Sequence, residues 1–216
     1  MFVSEIILDG LETIAEGLRA RLELSNHARE EALKSCREVI QRSSRAIRAI
    51  HRGEFESAKT LIEEARLRVK AVHESLAHFP ELFHAGYIHD SQKEYVEAET
   101  MLSIVCESAL QSPESLGVEP ASYLIGIAEA ASESRRYVLD RLREGDLARA
   151  ESVLKVMDDI YFELTSFDFP DAITGGLRRA TDSLRAVLER TRGDLTLTLS
   201  QYRLEKAIRE AGYGSE

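Results

Sequence analysis

The chain predicts an all-α fold, and three observations carry that prediction. Apolar residues recur at spacings of three and four rather than two. The composition is rich in Ala, Leu, Glu and Arg, with only 4 prolines and no tryptophan in 216 residues, which suits helices. Glycine- and proline-bearing breakers divide the chain into stretches of helical length. Apolar residues make up 44% and charged residues 31%, an ordinary balance for a folded soluble protein. The length is enough for one domain with a real core, and residues 1–216 are read as a single helical domain.

The elements follow in order. A first helical region spans about residues 3–51, with a candidate break at Ser25-Asn26, and stops at Arg52-Gly53. A second covers about residues 54–77 and ends ahead of Phe79-Pro80. A third runs from Pro80 to about residue 111, after which Pro113, Gly117 and Pro120 mark a loop. A fourth covers about residues 121–143. Gly145 suits its C-terminal cap, and Asp146 suits the N-cap of a fifth region that ends near Ser166. Phe169-Pro170-Asp171 opens the last region, which reaches about residue 211. Within it, Leu195-Thr196-Leu197-Thr198-Leu199 alternates like a strand. A lone strand would have no partner, so the segment is assigned to helix. Short connections predict antiparallel neighbours in one bundle.

Composition excludes several function classes. No stretch approaches the roughly 20 apolar residues that span a bilayer. Glu5, Asp9 and Glu12 near the N-terminus fit neither a signal nor a transit peptide. Cys36 and Cys106 show no metal-ligand spacing, and are expected as reduced thiols of a cytoplasmic protein. There is no glycine-rich phosphate loop, nucleophile elbow or Cys-x-x-Cys, and the six histidines form no ligand pattern. The formal net charge of −10 opposes a polyanionic partner if it is spread evenly.

It is not spread evenly. On a helical wheel, Lys34, Arg37, Arg45, Arg48 and Arg52 fall within an arc of about 80°. Arg42 lies roughly 60° outside that arc. Ala32, Leu33, Cys36, Val39, Ile40, Ile47 and Ile50 occupy the opposite side. Such a stripe is either a solvated face or a phosphate-tracking surface. No aromatic residue interleaves with it, so base stacking is not signalled.

A second pattern places acids where a core should be. Phe83, Tyr87, Met101 and Val105 define an apolar line, and Asp90, Glu94 and Glu97 lie on or beside it. Carboxylates on a packing seam must be paired, hydrogen-bonded or metal-bound. Glu94 and Glu97 are three apart and can reach one point, which suits a hard cation such as Mg²⁺. A buried salt bridge to an arginine of another helix fits equally. A carboxylate-bridged di-iron site fits poorly, because position 97, three residues beyond Glu94, is Glu rather than the His such a site needs. Glu129 and Glu133 lie opposite the apolar side of their own helix, and the wheel reads them as a solvated stripe. Gly126 nearby permits close approach by another helix.

Three segments resemble the translin family. Gln92-Lys93-Glu94-Tyr95-Val96-Glu97-Ala98 is similar to the Gln-Glu-Tyr-Val-Glu-Ala segment of translin-associated factor X. Tyr123-Leu124-Ile125-Gly126-Ile127-Ala128-Glu129, continuing to Glu133, resembles its Tyr-Leu-Leu-Gly-Val-Ala-Asp segment and the Glu beyond it, with Gly145-Asp146 downstream. Arg37, Ser43, Arg45, Ile47, His51 and Arg52 follow the family pattern in the basic helix. The resemblance covers about residues 3–210.

It implies a seven-helix bundle assembled into a closed, barrel-like homo-oligomer of six to eight subunits. It implies single-stranded RNA, with single-stranded DNA as a further ligand, held on the interior by the arginine stripe. For the factor X type it implies Mg²⁺-dependent endoribonuclease activity, with Mn²⁺ as a possible substitute. Carried over by position, Glu94, Glu97, Glu129 and Glu133 are the catalytic and metal-binding set. Glu129 departs from the family's Asp. The alternatives are a translin-like nucleic-acid-binding protein without catalysis, and a structural assembly whose arginines make subunit contacts.

Overall fold

Residues 3–211 are described by a computed structural model, with side chains described from residue 10 onward. The architecture is all-α, with no strand among the described residues. Six long helices, α1 (Val3–His51), α2 (Phe55–Leu76), α3 (Gly86–Cys106), α5 (Pro120–Arg143), α6 (Leu147–Thr165) and α8 (Leu177–Glu210), are joined by short connections. Two single-turn helices, α4 (Pro113–Leu116) and α7 (Asp171–Thr174), lie within those connections.

Four boundaries differ from the sequence expectation. α1 runs through Ser25-Asn26 without a break. The segment expected as one helix from Pro80 is a 3₁₀ turn, Pro80–Leu82, followed by α3, which starts only at Gly86. Phe83 therefore precedes the helix and packs on His73, with ring centroids 4.7 Å apart, rather than standing on the line of Met101 and Val105. α3 also ends early, at Cys106, because Glu107 adopts a left-handed conformation with φ 56°. Arg149 of α6 closes that end, donating to the carbonyls of Ile104 (2.9 Å) and Val105 (2.8 Å) and pairing with Glu107. The last region is divided at Gly175-Gly176, both at positive φ, which separates α7 from α8. Leu195–Leu199 is helical, as expected, within α8.

The main core draws on Val39, Ala46 and Ile50 of α1, Ala65 of α2, Val96 and Met101 of α3, Ala128 and Val138 of α5, Met157 of α6 and Leu184 of α8. A smaller cluster joins Ala28, Ala32 and Cys36 of α1 to Val72, Leu76 and Ile88. Before Ala28 no described side chain of α1 is buried. With 49 residues, α1 is about 73 Å long at 1.5 Å per residue, and its first half leaves Leu11, Ile14, Leu18 and Leu22 exposed.

The contact that decides the position of the site is α3 against α5. A Cβ added at Gly126 would stand 2.6 Å from Val96 Cβ and 2.7 Å from the Lys93 carbonyl oxygen. Only a residue without a side chain lets α5 come this near. Ser122, Ala130 and Ser134, all fully buried, keep the same face of α5 small. Ser134 Oγ donates to the Ala130 carbonyl at 2.8 Å, so its hydroxyl is satisfied within the helix.

Gly126→Ala should therefore destabilise the fold. Alanine gains about 1 kcal/mol of helix propensity over glycine, but the overlap with Val96 and backbone costs about 1–3 kcal/mol or more. The expected net result is a lower urea midpoint. A midpoint raised by the propensity term would show that the helices are not in this contact.

Candidate functional site

The close approach at Gly126 sets Glu94 and Glu97 of α3 opposite Glu129 and Glu133 of α5. The four carboxylates line one shallow hollow of 410 Å³, together with Lys93 and Ser132. The pairs arise differently. On α3, Tyr95, Val96 and Ala98 are buried while Glu94 and Glu97 are only half-covered, so the acids sit at the edge of the seam. On α5, Ala128, Ala130 and Ala131 are buried and the two glutamates stand on the flank turned toward α3 and α1. The wheel reading of Glu129 and Glu133 as a solvated stripe is thus corrected: both are partly covered and hydrogen-bonded to other helices. Asp90, expected beside the apolar line, is exposed.

The two acids of α5 have cationic or hydrogen-bonding partners. Lys93 Nζ lies 3.1 Å from Glu129 Oε1. His51 Nε2 lies 2.6 Å from Glu133 Oε1. An ionised carboxylate can only accept, so this bond places the proton on Nε2. The His51 side chain is 2% exposed, and its Nδ1 is buried without a partner. The two acids of α3 differ. Neither Glu94 nor Glu97 makes a salt bridge or side-chain hydrogen bond among the described residues. The salt-bridge alternative required an arginine here, and none reaches them.

Electrostatics follow from this geometry. Burial, then the neighbouring Glu94, Glu129 and Glu133 carboxylates, push Glu97 from 4.5 to about 8, with Lys93 opposing. Burial also raises Glu94; Lys93 counteracts it, and Glu129 and Asp90 add to it. For Lys93, burial disfavours the ammonium, but Glu129, Asp90 and Glu94 outweigh it and the net shift is upward. The donors are all oxygens and carry more negative charge than Lys93 balances, which is the chemistry of a hard divalent-cation site. As placed, however, Lys93 and His51 draw the α5 carboxylates aside. No three or more His, Cys, Asp or Glu side chains among the described residues stand grouped as metal ligands.

The basic stripe is also resolved residue by residue. Lys34, Arg37, Arg45 and Arg48 are exposed on α1. Lys34, Arg37 and Arg45 make no ion pair among the described residues, and Arg48 donates to Ser44 Oγ at 3.1 Å. Arg52 pairs with Glu54 at 2.7 Å. Arg42, the outlier on the wheel, is held by Glu64 at 2.9 Å and Glu38 at 3.6 Å, and belongs to the α1–α2 contact. His51 lies three residues beyond Arg48, so the cationic face leads along α1 to the end that meets Glu133. Sequence reasoning gave His51 no role. Two signals were available: its place in the family pattern of the basic helix, and its position at the margin between the apolar side and the stripe.

No family model matches the chain. The uncharacterized protein MJ0175 of Methanocaldococcus jannaschii is 32% identical over 188 residues, spanning 86% of this chain and 83% of that protein. The structure of AfC3PO aligns at TM-score 0.81 with 36% identity, covering 87% of this chain and 97% of that one. AfC3PO in complex with duplex RNA aligns at TM-score 0.80 and the same identity. The chain belongs to the translin/C3PO family. Apo-NeC3PO, at TM-score 0.77 and 22% identity over 85% of this chain, shares the fold. Within the translin/C3PO fold, the α3–α5 seam here carries its acids with a lysine among them.

The raised Glu97 gives a pH signature in metal-free protein. Its carboxyl ionises near 4.5 when unfolded and near 8 when folded. Between those values the folded state binds the extra proton, so stability falls as pH rises through the window. Glu97→Gln removes this contribution. In EDTA, the variant should gain on the native protein as pH rises from 4.5 to 8, by up to about 5 kcal/mol. A pH-independent difference in melting temperature would refute the shared electrostatic field.

Proposed function

We propose that this protein binds RNA on the cationic face of α1 and cleaves it as a divalent-cation-dependent endoribonuclease at the α3–α5 hollow. The observation that carries the reading is the convergence of Glu94, Glu97, Glu129 and Glu133 on one hollow, with Glu94 and Glu97 making no ion pair or side-chain hydrogen bond among the described residues. An all-oxygen set suits Mg²⁺, with Mn²⁺ as a substitute. Glu94 and Glu97 would hold the ion, with Glu129 and Glu133 completing the set or orienting water. When bound, such an ion supplies an activated water and neutralises charge developing on the phosphate.

The chain's own residues do the rest. Lys34, Arg37, Arg45, Arg48 and Arg52 bind phosphates and lay the strand along α1 toward the hollow. His51 donates to Glu133 and fixes the direction of that carboxylate. RNA as the ligand is supported by AfC3PO, a 36% identical structure solved with duplex RNA. Single-stranded RNA as the cleaved form, and single-stranded DNA as a further ligand, rest on the resemblance to translin-associated factor X. Self-association is supported by the apolar surface that a lone chain leaves exposed, Leu11, Ile14, Leu18 and Leu22 on α1, Phe162 on α6, and Phe169 and Ile173 near α7; the count of six to eight subunits rests on the family resemblance. No helix among the described residues is long and apolar enough to cross a membrane, and we place the protein in the cytoplasm. A second reading, RNA binding without catalysis, is favoured by the Lys93–Glu129 pair and by glutamate at position 129.

Three measurements test this. Labelled single-stranded and duplex RNA incubated with Mg²⁺ should be cut, and EDTA should stop it. Glu94→Gln or Glu97→Gln should reduce cleavage about 100-fold or more while binding persists. Binding without cleavage under all conditions selects the second reading. Arg45→Glu with Arg48→Glu should abolish RNA binding and preserve helicity. Single losses should flatten the salt dependence on single strands by about 0.7 per phosphate contact. Light scattering should give six to eight times the 24.3 kDa chain mass; a monomer contradicts the assembly.

A further inference from the structure

Lys93 is the one cationic side chain, among the described residues, that lines the carboxylate hollow. Its place there is fixed by packing. The Lys93 carbonyl is one of the atoms against which Gly126 sits, so the backbone at this position is pinned to α5. From that anchor its Nζ reaches across the seam to Glu129 Oε1 at 3.1 Å. The side chain is 22% exposed, so the pair is partly withdrawn from screening water. Glu94 and Asp90 on its own helix, and Glu97, also lie within the field of the ammonium.

This arrangement bears on any divalent ion that enters. Four carboxylates around one hollow repel one another, and the chain meets part of that repulsion with a charge of its own. A cation that takes Glu129 as a ligand must take it from Lys93, and then shares the hollow with a nearby positive charge. We propose that Lys93 is a built-in competitor for the divalent cation, holding Glu129 aside and setting the metal concentration at which the hollow loads. The inference rests on the metal reading of the hollow given above. It assigns Lys93 a specificity-determining part: trace divalent ions leave the site closed on its own lysine, and loading requires the lysine to swing toward solvent.

The test is Mn²⁺ binding to the purified full chain, followed by calorimetry and by loss of the free-ion spin-resonance signal, at one fixed pH. Lys93→Gln should bind Mn²⁺ roughly 10- to 100-fold more tightly than the native protein. Lys93→Arg, which keeps the charge, should stay near the native value. Lys93→Met keeps the aliphatic stem and serves if the glutamine variant folds poorly. The metal-free Gln and Met variants should melt below the native protein, and added Mn²⁺ should raise their melting temperature by more. Equal or weaker affinity in both neutral variants, with the native protein still binding, overturns the competitor role and leaves the metal site standing. Absence of Mn²⁺ binding in every form overturns both.

Discussion

At Gly126, α5 lies so close to α3 that a single added carbon would overlap Val96 and the Lys93 carbonyl. The candidate site depends on this contact. Glu129 and Glu133 lie one and two turns along α5 from Gly126, on the flank it brings toward α3. Glu94 and Glu97 bracket the Val96 against which Gly126 packs. Small residues at Ser122, Ala130 and Ser134 continue the contact along α5, and Arg149 secures the far end of α3 through the Ile104 and Val105 carbonyls. The carboxylates meet because the backbones do, and no flexible loop is needed to gather them.

The price of this convergence is repulsion. Burial and three neighbouring acids raise Glu97 to about 8, so the metal-free hollow keeps a proton at neutral pH that an isolated glutamate would lose. Lys93 and His51 meet the remaining demand by holding Glu129 and Glu133. The same close contact that builds an oxygen-rich hollow therefore also builds in one counter-charge, Lys93, and one hydrogen-bond donor, His51. The arginine face of α1 stands apart from this conflict. Its cations are exposed, and Lys34, Arg37 and Arg45 make no ion pair among the described residues.

Much of the fold was legible from periodicity and breakers, and the particular misses have physical causes. Ser25-Asn26 are poor helix formers, but two such residues cost little inside a long helix, and α1 runs through them. The early end of α3 turns on a left-handed glutamate, a conformation that no composition signal announces. Starting α3 at Gly86 moves Phe83 off the helix, so the apolar line was drawn with one residue too many. For the site, Glu94 and Glu97 were legible because acids interrupted an apolar seam. Glu129 and Glu133 were not legible from their own helix: a wheel separates polar from apolar faces, but cannot tell a face turned to water from one turned to another helix's acids. Only the resemblance singled them out. Lys93 and His51 were missed for the same reason, since their partners are distant in sequence.

Whether the hollow takes a divalent ion is decided most directly by crystals soaked in Mn²⁺ and measured for anomalous scattering. The account predicts one strong peak per chain between α3 and α5, within coordination distance of Glu94 and Glu97, with Lys93 released from Glu129. A clean map in which Lys93 remains on Glu129 and no peak lies in the hollow at millimolar Mn²⁺ would contradict it.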